Sequence, residues 1–178
     1  MYKVVLKFWF DELEPKQWWI KDAALDRLIS DRFAVLHRQA IRGELYFWRE
    51  QAQGRLAEII ILDQFSRNMF RASAMSFASD AQALTLAQEA VSAGADMLLT
   101  PIERNFLYMP FMHSESPVIH EVALKLFSSN GIEKSYEYEV RHKEIIDKFG
   151  RYPHRNAVLC RESTAEEIEF LKQPGSGF

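Results

Sequence analysis

Arginine, asparagine, glutamine and aspartate have planar or forked heads that bond in fixed directions, and the stretch Leu62-Asp63-Gln64-Phe65-Ser66-Arg67-Asn68-Met69-Phe70-Arg71 concentrates them. At about 100° per residue, Asp63, Gln64, Arg67, Asn68 and Arg71 share a helical arc of roughly 140°, opposite Ile61, Leu62, Phe65, Met69 and Phe70. One reading is a solvated face with an Asp63–Arg67 pair worth about 0.3–0.5 kcal/mol. The other is a ligand-binding face, because solvated faces normally mix in Lys and Glu, whereas these heads suit fixed partners.

A second stretch, from Phe149 to Ser163, carries Arg151, His154, Arg155, Asn156 and Arg161 on chain that Gly150 and Pro153 keep from being regularly helical. A guanidinium fork grips carboxylate or phosphate at two points, so Arg151, Arg155, Asn156 and Arg161 form a candidate anion clamp. Equally, acidic neighbours would pair with them to order the loop, and Asp63, Glu115 and Glu162 are available. A third stretch, Pro110-Phe111-Met112-His113-Ser114-Glu115-Ser116, offers His113 and Glu115 as general base or metal ligands, and Ser114 as a nucleophile only beside an independent base. Ser-Glu-Ser before Pro117 also has the composition of a turn and N-cap. His113, His154 and Glu115 are thus the catalytic candidates. Two ligand types one residue apart are too little for a metal site, and neither metal nor cofactor is expected. His142 shares a face with Tyr138, Ile145 and Phe149 and is expected in the core.

The elements that must position these groups all read as helix. Apolar spacing predicts helices over 3–13, 22–41, 53–70, 80–93, 101–109, 118–130 and 133–149, and a short terminal one capped by Ser163 or Thr164. Thr100-Pro101 with Glu103 is a capping box, and Gly94, Gly131 and Gly150 stand where helices end. Sustained period-two alternation is absent. The expectation is a single all-α domain over 1–178 of about eight helices, either a closed bundle or an array of helix pairs.

Composition narrows the function. The 178 residues (20.8 kDa) are 48% hydrophobic and 26% charged, as in folded proteins. Net charge is −3, which gives no general attraction to nucleic acid or membrane surfaces. Apolar runs stop at four residues against the roughly 20 of a bilayer span. The first ten residues lack the apolar core of a signal peptide, and Cys160 is the one cysteine, so a cytoplasmic location is expected.

Phe8-Trp9-Phe10, Leu62-Asp63-Gln64-Phe65 with Arg67-Asn68-Met69-Phe70-Arg71, Tyr108-Met109-Pro110-Phe111-Met112-His113-Ser114-Glu115, and Phe149-Gly150-Arg151-Tyr152-Pro153-His154-Arg155-Asn156 together resemble the bacterial domain-of-unknown-function family numbered 924. The resemblance spans the first helix to the last. It implies an all-helical, tetratricopeptide-like fold and brings no established reaction. The family's pattern has proline at Ser66, glycine at Ala72 and glycine at Cys160. Serine at 66 predicts an unkinked third helix, and cysteine at 160 predicts a loop with no positive φ there.

Two functions follow. The first is a binding module whose Arg- and His-lined cleft takes an anionic small molecule, or a protein or peptide partner with an acidic end. The second is a hydrolase or transferase acting on an anionic ester with a histidine general base. Oligomeric state is left open.

Overall fold

The computed structural model describes residues 1–177, and every regular element among them is helical. α1 (Tyr2–Leu6) runs without a break into a π-helical turn, Lys7–Glu12, and 3-10 turns follow at Pro15–Trp18, Tyr46–Glu50, Ala74–Phe77, Ala95–Leu98 and Pro153–Arg155. Between them lie α2 (Ala23–Ile41), α3 (Ala52–Ile60), a π-helical stretch Ile61–Phe65, α4 (Ser66–Met69), α5 (Asp80–Ser92), α6 (Pro101–Met112), α7 (Pro117–Asn130), α8 (Glu133–Phe149) and α9 (Ala165–Leu171). No helix among the described residues is long and apolar enough to cross a membrane.

α3 is the central element. Leu56, Ala57, Ile59, Ile60, Ile61, Leu62 and Phe65 are all fully buried, so apolar residues face more than one side, as in a helix surrounded by others. It packs against α1, α5 and α6. Glycine at 54 permits the close approach of the Tyr46–Glu50 turn, because a Cβ there would lie 2.0 Å from the Trp48 carbonyl oxygen. The buried Glu58 carboxylate is held by both arms of the Arg49 guanidinium at 2.7 Å. Trp9, Phe8, Phe33, Phe65 and Phe106 stack edge-on and tilted around this axis. From α5 onward the helices pack in succession, α5 on α6, α6 on α7, α7 on α8.

The structure changes several expected details. α6 continues past Pro110 to Met112 rather than ending at 109, since this extra turn buries Phe111 and Met112. α7, by contrast, ends at Asn130 with Gly131 as its cap, as expected. The third helix stays helical through Ser66 but is not regular, because the Ser66 hydroxyl donates to the Leu62 carbonyl at 2.6 Å and Arg67 donates to the Asp63 carbonyl at 2.9 Å. Side chains that capture carbonyls of the preceding turn loosen the i→i−4 ladder, and the π-helical stretch lies there. Cys160 overturns the expectation for its loop, having φ +53°, and Ala72 has φ +61°. Both occupy left-handed backbone without glycine's freedom, at a strain of about 1–2 kcal/mol each.

Candidate functional site

The three polar stretches meet. The π-helical stretch aims Asp63 inward, and its carboxylate, 1% exposed, lies 2.7 Å from His113 Nδ1 at the end of α6. Gln64 Nε2 donates to the same carboxylate at 2.5 Å, and Arg67 reaches it at 2.9 Å. Burial alone would raise the Asp63 carboxyl's pKa, but Arg67 and His113 hold it well below the usual range, so it is ionised. An ionised carboxylate only accepts, which places the imidazole proton on Nδ1. Burial, with Arg67 nearby, pushes the His113 pKa down and keeps the ring neutral.

From Asp63 the network passes to the N-terminus of α5. Arg67 takes the Asp80 carboxylate end-on through its two Nη atoms, with both contacts at 3.0 Å. Arg155 reaches the same carboxylate at 3.3 Å and donates to the His113 carbonyl at 3.0 Å. Its guanidinium lies 4.5 Å from the Phe77 ring centre and 4.6 Å from that of Tyr152, and its Nε is buried with no hydrogen-bond partner among the described residues. Burial and the adjacent Arg67 both lower the Arg155 pKa. The pKa of Arg67 itself, despite burial, is raised by Asp63 and Asp80.

Gly150 ends α8 at φ +67° and turns the chain into this junction. Arg161 grips Glu115 at 2.6 and 2.9 Å, while the Tyr152 backbone N–H donates to Glu115 at 2.8 Å. Arg151 grips Glu167 at 2.6 and 2.8 Å, and Asn156 links Arg161 (3.0 Å) to Ser163 (3.0 Å) and Glu167 (3.3 Å). Beneath lies a buried pair, His120 Nδ1 to Glu139 at 2.7 Å. His120 Nε2 is 2.9 Å from the Ser114 carbonyl and 3.3 Å from the Tyr152 hydroxyl, so it ties the two loops that carry His113 and Arg155. His154 lies against the Tyr152 ring, and burial, helped by Arg155, pushes its pKa down to about 4.

Of the sequence candidates, Asp63, Gln64, Arg67, His113 and Arg155 converge directly, with His154 against Tyr152 beside them. Glu115, Arg151, Asn156 and Arg161 tie the loop one layer out. Asn68 and Arg71 do not join: both bind Asp26 on α2, at 2.8 Å and at 2.6 and 2.7 Å. The polar arc is therefore split between two neighbours. Asp80, Phe77, Tyr152 and Glu167 belong to the junction and were not singled out as site residues. Asp80 reads in sequence as an ordinary acid in a helix's first turn, and nothing local marks its partners. Glu162 contributes only its carbonyl, to Arg151 at 2.8 Å, and Glu167 takes the expected acidic role. His142 is buried and donates through Nδ1 to the Tyr138 carbonyl at 2.7 Å.

Among the described residues no group of three or more His, Cys, Asp and Glu is placed to hold a metal ion. An open groove of about 590 Å³ runs beside α1, lined by Lys3, Lys7, Asp11 and Glu103 among others, away from these motifs.

Fold and site thus define an all-helical protein whose separated polar motifs assemble one charge-compensated junction. The chain belongs to a family of bacterial proteins of unknown function, DUF924, which it matches over residues 5–175. It is 37% identical to a protein of unknown function from Agrobacterium tumefaciens, ATU0120, whose solved structure superposes with a TM-score of 0.93 over 97% of both chains. No curated protein matches it.

Proposed function

We propose that the junction binds an anionic small molecule at its partly exposed edge, through Arg67 and Arg155. One observation carries this reading: two guanidinium groups share the single Asp80 carboxylate, and Arg155 Nε is left without a partner. Asp80 stands where a ligand carboxylate would stand. Side-chain exposures of 20% for Arg67, 19% for Asp80 and 7% for Arg155 suit one carboxylate or phosphate group better than an extended acidic segment. A peptide partner would therefore present its terminus. The succession α5–α8 fits the tetratricopeptide-like reading of the fold, with the junction at one end of that stack.

A second reading is favoured by the acids that face the arginines. Arg67, Arg71, Arg151, Arg155 and Arg161 each reach an Asp or Glu, as a purely structural lock between helices would require. Arg155→Ala does not separate the two, because it removes a buried, ring-stacked side chain and lowers Tm in both. Asp80→Asn does. Thermal melts of wild type and Asp80→Asn with phosphate, sulfate, acetate and glutarate, against sodium chloride of equal ionic strength, are the test. Binding predicts a saturable rise, about 2.7 kcal/mol at a hundredfold excess over Kd, with tighter binding once Asp80 no longer competes. A flat response in both proteins leaves the lock.

A further inference from the structure

We propose that His113, oriented by Asp63, is a general base that activates water for hydrolysis of a carboxylic ester whose acyl part carries a carboxylate. The inference rests on the anion-binding reading, since Arg67 and Arg155 hold that carboxylate.

The geometry has three parts. First, the imidazole is fixed in one tautomer. Asp63 accepts the Nδ1 proton at 2.7 Å, and Gln64 and Arg67 anchor the carboxylate from its other sides, so the lone pair is on Nε2. Second, that nitrogen has no hydrogen-bond partner among the described residues, and the side chain is 13% exposed. His142 differs, its Nδ1 being turned to the Tyr138 main-chain carbonyl. Third, both cations are tied to the dyad itself, Arg67 through the Asp63 carboxylate and Arg155 through the His113 carbonyl. The paired 3.0 Å contacts of Arg67 to Asp80 show the fork already seated on a carboxylate, the group the ligand would present.

In the reaction, His113 Nε2 takes a proton from water as the water oxygen bonds to the ester carbonyl carbon. The carbonyl pair moves onto its oxygen, and the resulting oxyanion is stabilised by the guanidinium charge. When the carbonyl re-forms, the bond to the alcohol oxygen breaks, its electron pair leaves with that oxygen, and the imidazolium returns the proton to it. Acid and alcohol are the products, and no oxidant, reductant or further reactant enters.

The test measures release of p-nitrophenol from the mono-p-nitrophenyl ester of glutaric acid, with p-nitrophenyl butyrate as the uncharged control and p-nitrophenyl phosphate as the phosphoryl arm. The expected result is turnover of the glutarate ester well above that of butyrate, with kcat reduced roughly a hundredfold or more in His113→Gln at unchanged KM. Asp63→Asn lowers kcat in the same way, whereas Arg67→Gln raises KM. Calorimetry with free glutarate on wild type and His113→Gln separates the layers. Glutarate binding without ester turnover overturns the catalytic proposal alone, and absence of binding overturns both. Undiminished kcat in a folded His113→Gln, or preference for butyrate or for the phosphate ester, also overturns it.

Discussion

Acid should destabilise this protein well above the carboxylate range, and His142 is the place to measure it. The ring lies inside α8, 6% exposed, with Nδ1 donating to the Tyr138 carbonyl and its edge against Tyr152, 5.6 Å between centres. A proton on Nε2 would put charge in that interior, and burial pushes the pKa down to about 3, with the nearby His113, His120 and His154 adding in the same direction. The unfolded chain protonates this histidine near the ordinary 6.5, so in the window between 6.5 and about 3 the unfolded state holds the extra proton. The stability tied to the neutral ring is complete above pH 6.5 and drains as pH falls. At pH 5 the loss is about 2 kcal/mol, which for a chain of this length is a Tm decrease of roughly 4–8 °C. His37, His113 and His154 act in the same sense, Glu139 opposes, and the lowered carboxylates enter only at more acidic pH. The difference between wild type and His142→Gln therefore isolates the effect. In melts between pH 8 and pH 5, the variant's Tm should fall by roughly 4–8 °C less than that of wild type. Parallel Tm curves for the two proteins would refute the reasoning.

Other substitutions test the packing and the network. Gly54→Ala drives a methyl to 2.0 Å from the Trp48 carbonyl, and a loss of about 3 kcal/mol or more is expected in urea unfolding. Cys160→Gly and Ala72→Gly each release a left-handed non-glycine residue and should stabilise by about 1 kcal/mol, seen as a higher urea midpoint at unchanged slope. The His120–Glu139 pair shares one proton. His120 Nε2 donates to the Ser114 carbonyl, so Nδ1 and Glu139 together hold a single hydrogen, and burial raises the Glu139 pKa toward the protonated form. Glu139→Gln can still donate to Nδ1 and should cost about 1 kcal/mol or less, while Glu139→Leu leaves Nδ1 unpaired and should cost about 3. Equal losses in these two variants would show that the pair is held as ions.

Helices were legible because their signals are local. Thr100 and Thr164 form the capping boxes their sequences announce, and Gly94, Gly131 and Gly150 adopt the left-handed conformation of helix ends. That the clustered Arg, Asn and Gln side chains have fixed partners was also readable, because their planar heads bond in set directions. The partners were not readable. Arg155 finds Asp80 from 75 positions away, and Arg161 finds Glu115 from 46. The successive packing of α5, α6, α7 and α8 decides those meetings. Nor does spacing at 3.6 residues per turn foresee the π-helical stretch, which buries Asp63 while leaving Asn68 and Arg71 to reach α2.

The arrangement of charge within the junction also bears on what it can do. Its outer layer, Arg151–Glu167 and Arg161–Glu115, matches each cation to its own acid in two-armed contacts. Such pairs order a loop and leave no capacity unused. The inner layer is different: Asp63 serves His113, Gln64 and Arg67 at once, Asp80 serves two guanidinium groups, and Arg155 retains an unpaired N–H. Arg67 has Asp63 as well as Asp80, whereas Arg155 shares Asp80 and has no acid of its own. An incoming carboxylate would supply Arg155 with that missing acid. Arg67 and Arg155, more than the outer arginines, are for that reason where ligand binding should be sought.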